Sequence, residues 1–180
     1  MRYYRKIIGE RLYLSPFNPE DTESYTKWAE WMNDRTVADN FGGHHNLVSL
    51  ASAKKTVAEL RGYRFDMVLL DGDILIGHID LHDVDHHSRH AFLGICIGDG
   101  EHRGKGYGTE AIRLVLDYGF NTVNLHNIML SVHADNYAGI ACYKKVGFKE
   151  AGRRREWLFK NGKYIDVVYM DILEREFMGQ

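Results

Sequence analysis

The apolar positions of this chain recur with two different periods, and stretches of the two kinds follow one another along the sequence. Alternating or continuous apolar runs of strand length, bounded by turn residues, predict seven strands. These lie at residues 11–15, 65–70, 74–81, from 91 to about 98, from 127 to about 133, 149–159 and 163–172. Two turns with hairpin chemistry, Asp71-Gly72-Asp73 and Asn161-Gly162, join neighbouring strands.

Apolar residues spaced three and four apart predict helices between these strands. Asn18 and Pro19 form the predicted N-cap and first position of a helix that runs to about Met32. Ser49 caps a second helix at residues 50–60, a third runs from about residue 107 to 121, and a short fourth ends with Gly147 as its C′ residue. Residues 40–46 are expected to form a loop.

The order of these elements predicts an α/β fold. Strands come first, two strand–helix crossovers follow, and a hairpin ends the chain. This order is typical of a mixed, twisted sheet, here of about seven strands, with helices on both faces. Nothing in the sequence indicates a second domain, so we expect a single domain over residues 1–180 with its core at about residues 10–175.

Composition narrows the classes of protein to which the chain can belong. Hydrophobic residues make up 44% and charged residues 27% of its 180 residues, and the net charge is −2. The chain therefore has no basic excess for nucleic acid, no apolar stretch near the roughly 18 residues of a membrane span, and no signal-peptide core. Cys96 and Cys142 each lie in an apolar run and are expected to be buried free thiols. These features predict a cytoplasmic protein with neither nucleic acid nor a membrane as partner.

A glycine-rich turn joins one of the apolar strands to the third helix. Gly104, Gly106 and Gly108 stand at alternate positions, where they let the backbone approach a ligand closely and turn its N–H groups inward. The following helix start adds unpaired N–H donors, and Arg103 and Lys105 add positive charge. The segment therefore predicts a site for the phosphates of a cofactor.

Other phosphate-binding motifs do not match this turn. A P-loop would need G-x-x-x-x-G-K-[ST], which the sequence lacks. A dinucleotide fingerprint would need G-x-G-x-x-G with an acidic residue about 20 positions later. The remaining alternative is a glycine-rich turn without a ligand, which this segment alone leaves open.

A second unit follows about twenty residues after the turn. It places Asn136 just after a strand and continues through Tyr143 and Lys145 to Gly147 and Phe148. R-x-x-G-x-G after one strand and N-x-x-x-x-x-x-Y-x-K-x-G-F after the next resemble the GNAT superfamily of acetyl-CoA-dependent N-acetyltransferases. The resemblance extends to residues 11–14, to 28–33 and to the last hairpin, and it is to the branch of ribosomal-protein N-terminal and spermidine acetyltransferases.

The resemblance implies acetyl-CoA as cosubstrate, an amine as acceptor, and a sheet that opens between the strands at residues 91 and 127. The backbone of Cys96, Ile97 and Gly98 would pair with the pantetheine arm and offer an N–H to the oxyanion formed during transfer. Asn136 would contact the cofactor, and the turn with the helix start would hold its pyrophosphate. The turn residues concerned are Arg103, Gly104, Lys105, Gly106, Tyr107, Gly108 and Thr109.

Tyr143 stands at the position to which the family assigns a general acid. Acetyl transfer from a thioester leaves a thiolate that needs a proton, and a phenol with a pKa of about 10 can supply it. Periodicity alone favours a packed aromatic residue on a short helix. The motif reverses that preference and makes Tyr143 the predicted catalytic residue.

Two positions depart from the family pattern. Gly139 stands where serine or alanine is usual, and Phe92 stands where relatives commonly carry a glutamate that acts as a base or holds a cationic acceptor. At pH 7 an α-amine of pKa about 8 needs about 1.4 kcal/mol to lose its proton, and a lysine-like amine needs about 4.6 kcal/mol. A site without that acid therefore suits an α-amine. Other candidates for the base, with no motif behind them, are His78, Asp80, His82 and His133, or a chain of water molecules that leads to the backbone.

One function leads and two alternatives remain. We expect acetyl transfer to a primary amine, above all the N-terminal amine of a protein or peptide. The first alternative is acetylation of a small amine such as a polyamine or aminoglycoside, with an acidic pocket around Asp39, Asp80 or Asp83. The second is a non-catalytic acyl-CoA-binding module. The oligomeric state stays open, with a homodimer among the alternatives.

Two polar clusters have ordinary interpretations. Histidines and aspartates crowd residues 82–90, but no spacing there matches a structural zinc site, so we expect a solvated loop and no metal. Arg153, Arg154 and Arg155 are expected on a solvated strand edge, with a place beside an acidic acceptor or a cofactor phosphate as the alternative.

Overall fold

The computed structural model describes residues 3–18, 20–41, 47–59 and 62–179. Eight strands form one sheet in the order β1-β2-β3-β4-β5-β6-β8-β7. The strands are β1 (Ile7–Ile8), β2 (Leu12–Pro16), β3 (Gly62–Leu69), β4 (Leu75–Asp85), β5 (His90–Ile97), β6 (Asn127–His133), β7 (Lys149–Lys160) and β8 (Lys163–Leu173). The helices are α1 (Thr22–Asn33), α2 (Arg35–Phe41), α3 (Leu50–Glu59), α4 (Tyr107–Asp117), α5 (Tyr137–Val146) and α6 (Glu174–Met178). All neighbouring strands are antiparallel except β5 and β6, so the sheet is mixed, as predicted.

Strands β5 and β6 are paired only where they begin. Three residues of β5 pair in parallel register with three of β6, and the last of these pairs joins Phe92 to Met129. Beyond it, no ladder connects the two strands in the described part of the chain, although β5 continues to Ile97 and β6 to His133. The strands therefore diverge into a slot, with its apex at Phe92 and its open end at their carboxyl termini. This is the predicted opening of the sheet.

An apolar core lies on each face of the sheet, which confirms the α/β prediction with helices on both sides. On one face, α4 packs through a stripe at helical spacing formed by Ala111, Ile112, Val115 and Leu116. On the other, α1, α2 and α3 contribute Trp28, Ala29, Trp31, Met32, Val37 and Ala53. We call these the α4 face and the α1 face. No helix among the described residues is long and apolar enough to cross a membrane.

Helix α1 begins later than predicted. Its N-cap is Asp21, whose carboxylate accepts a hydrogen bond from the Glu23 N–H. The side chain of Asn18 instead accepts from the N–H of Glu20 in the preceding turn, so its oxygen is already used there. The predicted first position, Pro19, lies outside the described residues.

Most other boundaries agree with the prediction to within a few residues. Ser49 caps α3 through the N–H of Ser52, and Gly147, with a φ of 115°, ends α5. The pattern does not predict β1 or α2, because two strand residues and one short helix give too few positions for a period to show. Residues 40 and 41, expected in a loop, belong to α2, and residues 42–46 and 60 lie outside the described residues.

Candidate active site

The glycine turn after β5 leads directly into the first turn of α4. Gly104 and Gly106 have φ values of 72° and 87°, in the left-handed region that glycine adopts at no steric cost. Gly106 is the N-cap of α4 and has no side chain to bind the N–H groups of the first turn. Those of Tyr107, Gly108 and Thr109 have no acceptor within the helix and can bind an anion, which the helix dipole also favours.

Arg11, just before β2, holds this turn in place. Its backbone N–H and its Nε both donate to the Glu110 carboxylate at 2.8 Å, and its Nη1 donates to the Lys105 carbonyl at 2.8 Å. Partial burial acts to raise the pKa of Glu110, but hydrogen bonds from Arg11 and from the Leu12 N–H outweigh that effect and lower it. One side chain thus joins the start of β2 to the turn and to α4. No local sequence signal indicates this role, since Arg11 and Glu110 are 99 residues apart.

Arg103 faces the end of β5 and not the glycine turn. Its Nε donates to the Ile97 carbonyl at 2.9 Å, its Nη2 to the Gly98 carbonyl at 2.8 Å, and its Nη1 to the Thr36 hydroxyl of α2 at 3.2 Å. All three nitrogens are engaged, so Arg103 braces the start of the turn. Positive charge at the turn itself comes from the exposed Lys105 and from Arg11.

The register of β4 and β5 decides which backbone groups face the slot. The Gly98 N–H donates to the Ile76 carbonyl of β4 at 3.1 Å. Because bonded positions alternate in an antiparallel pair, Gly98 and Cys96 both turn their N–H and C=O groups toward β4. Ile97 and Ile95 turn theirs toward the slot. Of the three residues expected to pair with a pantetheine arm, only Ile97 presents its N–H there, since its carbonyl accepts from Arg103. Ile95 presents its peptide groups beside it.

Gly98 is also covered on the α1 face. An ideal Cβ at this position would lie 1.8 Å from the ring of Trp31, so the indole packs directly on the glycine backbone. This contact accounts for the glycine and fixes α1 against the end of β5.

The middle of helix α5 lies beside the first turn of α4, where the Thr109 hydroxyl is 3.4 Å from the Cys142 sulfur. Asn136 is the N-cap of α5, and its side-chain oxygen accepts from the Gly139 N–H at 2.9 Å. An ideal Cβ on Gly139 would lie 2.8 Å from the Asn136 amide nitrogen. The unusual glycine at 139 therefore leaves room for the capping side chain.

Tyr143 projects from α5 and is half-buried against the core of the α4 face. Its ring lies 6.0 Å from that of Phe148, in an edge-on arrangement. Burial raises the pKa of Tyr143, and the nearby Cys142 and Cys96 add to the rise. Burial also raises the pKa of Cys96 to about 12. Both cysteines are free thiols, as expected, but Cys142 is partly exposed and only Cys96 is buried.

The four candidate bases occupy different environments on the α1 face. His78 is buried, with Nδ1 2.8 Å from Asp66 and its ring among Phe17, Trp28 and Trp31. His133 is also buried, with Nδ1 3.2 Å from the Asp39 carbonyl. Asp80 and His82 form a pair 2.6 Å apart.

The pair formed by His82 and Asp80 is the one with access to solvent. The side chain of His82 is 35% exposed and that of Asp80 is 15% exposed.

Helix α2 connects the two sides of the slot at its open end. Besides the bond from Arg103 to Thr36 on the β5 side, the Asp39 carbonyl of α2 accepts from Lys160 Nζ at 3.2 Å. Lys160 is 2.6 Å from Asp135, just after β6.

The remaining polar clusters have structural roles. Among the described residues, no group of three or more His, Cys, Asp or Glu side chains could hold a metal ion. The segment 86–89 is a tight turn in which the Asp85 carboxylate accepts from the N–H groups of His87 and Ser88. The three arginines lie on the exposed edge strand β7, where Arg153 pairs with Asp166 at 3.3 Å.

The comparison with known families identifies the kind of protein to which this site belongs. The family model of the acetyltransferase (GNAT) domain matches residues 11–149, which run from β2 through the glycine turn to the end of α5. This chain belongs to the GNAT acetyltransferase family.

Relatives within this family differ in what their names say they acetylate. YdaF of Bacillus subtilis, named a ribosomal N-acetyltransferase, is 28% identical over 184 residues, which cover 96% of this chain and 97% of that protein. Spermidine N(1)-acetyltransferase of Vibrio cholerae is 38% identical over 106 residues, or 59% of this chain and 61% of that protein. The crystal structure of spermidine N-acetyltransferase from Vibrio cholerae in complex with CoA and spermine has a TM-score of 0.82 at 29% identity, covering 93% of this chain and 98% of that one.

These findings confirm the predicted class of reaction. The GNAT protein described here is an acetyl-CoA-dependent N-acetyltransferase. Its own residues suit the cosubstrate, since the first turn of α4 offers phosphates N–H groups that have no acceptor within the helix, and Ile95 and Ile97 of β5 turn their N–H groups toward the slot.

Proposed function

We propose that the acceptor is the α-amine of a protein or peptide N-terminus. The observation that carries this proposal is Phe92, a half-exposed apolar side chain on β5 at the apex of the slot. A polyamine or lysine-like acceptor needs a carboxylate there to bind the cation and to offset a deprotonation cost of about 4.6 kcal/mol. The α-amine needs only about 1.4 kcal/mol. The carboxylate of Asp80, on the neighbouring strand β4, is already paired with His82.

The residues of the turn and slot take the following roles in this proposal. Bound acetyl-CoA supplies the thioester whose acetyl group is transferred. Lys105 and the N–H groups at the start of α4 hold the pyrophosphate. Ile95 and Ile97 pair with the arm, and one of their N–H groups stabilises the oxyanion. The amide nitrogen of Asn136 contacts the arm, while its oxygen caps α5.

Tyr143 gives its phenolic proton to the departing thiolate. Burial raises the pKa of Tyr143, so the side chain keeps its proton until it is needed. A thiolate that forms in the same desolvated site is also more basic than in water, so the proton still passes from oxygen to sulfur.

A second acceptor class is favoured by two carboxylates near the end of β6. Asp39 and Asp135 each have one buried side-chain oxygen with no hydrogen-bond partner among the described residues. A buried oxygen of this kind gains from an ammonium donor. Acetylation of a polyamine is therefore the second candidate, and it agrees with the names of the spermidine-acetylating relatives.

A panel of acceptors tests the choice between the two classes. The protein is incubated with acetyl-CoA and one acceptor at a time, and the release of free thiol is followed. The acceptors are a peptide with a free N-terminus, the same peptide blocked at its N-terminus and carrying an internal lysine, spermidine, and an aminoglycoside. We expect kcat/KM for the free peptide to exceed that for each other acceptor at least tenfold. Preferred acetylation of spermidine would overturn the proposal.

A further inference from the structure

The carboxylate of Asp80 lies above β5, the strand that borders the slot, although Asp80 belongs to β4. Asp80 and Gly94 are cross-strand partners. An ideal Cβ on Gly94 would lie 3.0 Å from one carboxylate oxygen of Asp80 and 3.2 Å from the other. The absence of a side chain at Gly94 therefore leaves the room that Asp80 occupies, two residues from Phe92.

His82 lies on the solvent side of the Asp80 carboxylate and contacts it. Its Nδ1 is 2.6 Å from Asp80, and its ring stacks on that of Phe92 with an angle of 25° and 6.0 Å between centres. A neutral histidine that donates Nδ1–H to a carboxylate carries its lone pair on Nε2. Because the side chain is 35% exposed, it can be reached by an acceptor from the α1 face.

The pair also lies at the end of the slot where the reaction takes place. The phosphate site is beyond the carboxyl end of β5, so an arm that pairs with Ile97 and Ile95 runs back toward the apex at Phe92. A strand advances about 3.3 Å per residue, so Gly94 is the next position along that path. The carboxylate that covers Gly94 therefore stands beside the delivered acetyl group.

We propose that His82 is the general base of the acetyl transfer and that Asp80 is its positioning residue. In this proposal, His82 and Asp80 supply the base that a glutamate at the position of Phe92 would otherwise supply. This inference rests on N-acetyl transfer itself and holds whichever amine is the acceptor. An imidazole is best matched to an α-amine, since the difference between their pKa values is smaller than for a lysine-like amine.

The proton balance of the step is as follows. One N–H bond of the acceptor ammonium breaks and an Nε2–H bond forms on His82, while Asp80 stabilises the resulting imidazolium. The free amine then attacks the thioester, and Tyr143 protonates the thiolate as the C–S bond breaks. The second proton lost by the new amide nitrogen restores Tyr143 through solvent. His82 releases its proton to solvent, so each turnover liberates one proton.

The charged groups around His82 set the pH range in which it can act. The hydrogen bond to Asp80 is the largest cause that raises the pKa of His82, and burial opposes it. The charges of Asp80 and Asp83 raise the pKa further, while that of Arg64 on β3 lowers it. The net effect is a raised pKa. The base is active when neutral, so activity should rise as the pH increases through this pKa.

The test compares pH profiles of kcat/KM, using the best acceptor of the panel, for the wild type and three variants. For His82→Gln we expect a fall of roughly 10²–10⁴ at neutral pH and loss of the acid limb. For Asp80→Asn we expect a lower plateau and an acid limb shifted to lower pH, because the main cause of the raised pKa is removed. The matched control is His86→Gln, at an exposed histidine in the turn between β4 and β5, and its pH profile should be that of the wild type.

A second measurement requires neither acceptor nor cofactor. Titration of the His82 ring by NMR in the free protein should give a higher pKa in the wild type than in Asp80→Asn. Thermal unfolding and CoA affinity by calorimetry show whether His82→Gln keeps its fold. An active His82→Gln, within threefold of the wild type and with the same acid limb, would overturn the base assignment. An unchanged His82 titration in Asp80→Asn would overturn the positioning role. Neither outcome depends on which acceptor the panel favours.

Discussion

At the scale of the residue, the phenol of Tyr143 holds the proton that the proposed mechanism transfers to the departing thiolate. Burial raises the pKa of Tyr143 above its usual value of 10.0, so the side chain is protonated throughout the neutral range. Deprotonation of Tyr143 therefore adds no alkaline limb to the activity below about pH 10. In the proposed mechanism, the acid limb belongs to His82, whose pKa is raised mainly by its hydrogen bond to Asp80.

Replacement of Tyr143 by phenylalanine removes only this hydroxyl. We expect kcat to fall by roughly 10²–10⁴ with KM for acetyl-CoA little changed, because the loss is confined to proton transfer. The free energy of unfolding should change by about 1 kcal/mol or less, since ring packing is kept. Steady-state kinetics and thermal unfolding measure the two effects. Tyr137→Phe, on an exposed tyrosine of the same helix, is the control. Near wild-type turnover with chemistry rate-limiting would show that Tyr143 only packs.

Residue roles could be predicted from the sequence where they are local and not where they depend on register. The cap formed by Asn136 lies within one turn of chain, so composition and spacing reveal it. Which of Ile95, Cys96 and Ile97 faces the slot depends on the pairing of β5 with β4. A shift of one residue in that pairing would turn Cys96 toward the slot and Ile95 and Ile97 toward β4. Hydrophobic periodicity alone does not fix the register.

At the scale of the element, the glycine turn and α4 act as one unit held by Arg11. Gly106→Val places a branched side chain on a residue with a φ of 87°, and its Cβ would lie 3.2 Å from Arg11 Nη2. We expect backbone strain of about 1–3 kcal/mol and a loss of CoA affinity with the fold retained. Gly100→Ala, where a Cβ meets no atom within 4 Å, should leave the affinity unchanged. Calorimetry compares the two variants, and equal wild-type affinity in both would contradict this account of the turn.

The elements themselves could be predicted wherever turn chemistry and periodicity agree. The hairpin of β7 and β8 turns at Asn161 and Gly162, with φ values of 52° and 76°, as the dipeptide predicts. Helix α2 could not be predicted, although it links the two sides of the slot, because its contacts with Arg103 and Lys160 join distant parts of the chain.

At the scale of the whole molecule, function depends on one interruption in an otherwise continuous sheet. Every neighbouring pair of strands forms a ladder, and among the described residues only the ladder of β5 and β6 ends, after three residue pairs, while both strands continue beyond it. The family resemblance implies such an opening, and the order of strands and crossovers agrees with it. The extent of the ladder and the apex at Phe92 could not be derived from the sequence, because they depend on how both faces of the sheet pack.

The central claim is that acetyl-CoA lies in this slot and pairs with β5, and amide hydrogen exchange resolved by NMR tests it most directly. In the free protein we expect the Ile95 and Ile97 amides to exchange quickly, because they face the slot, and the Cys96 amide to exchange slowly, because it pairs with β4. Saturating CoA should slow Ile95 and Ile97 at least tenfold and leave Cys96 unchanged. If saturating CoA leaves Ile95 and Ile97 as fast as before, the cofactor does not bind along β5 and the account is wrong.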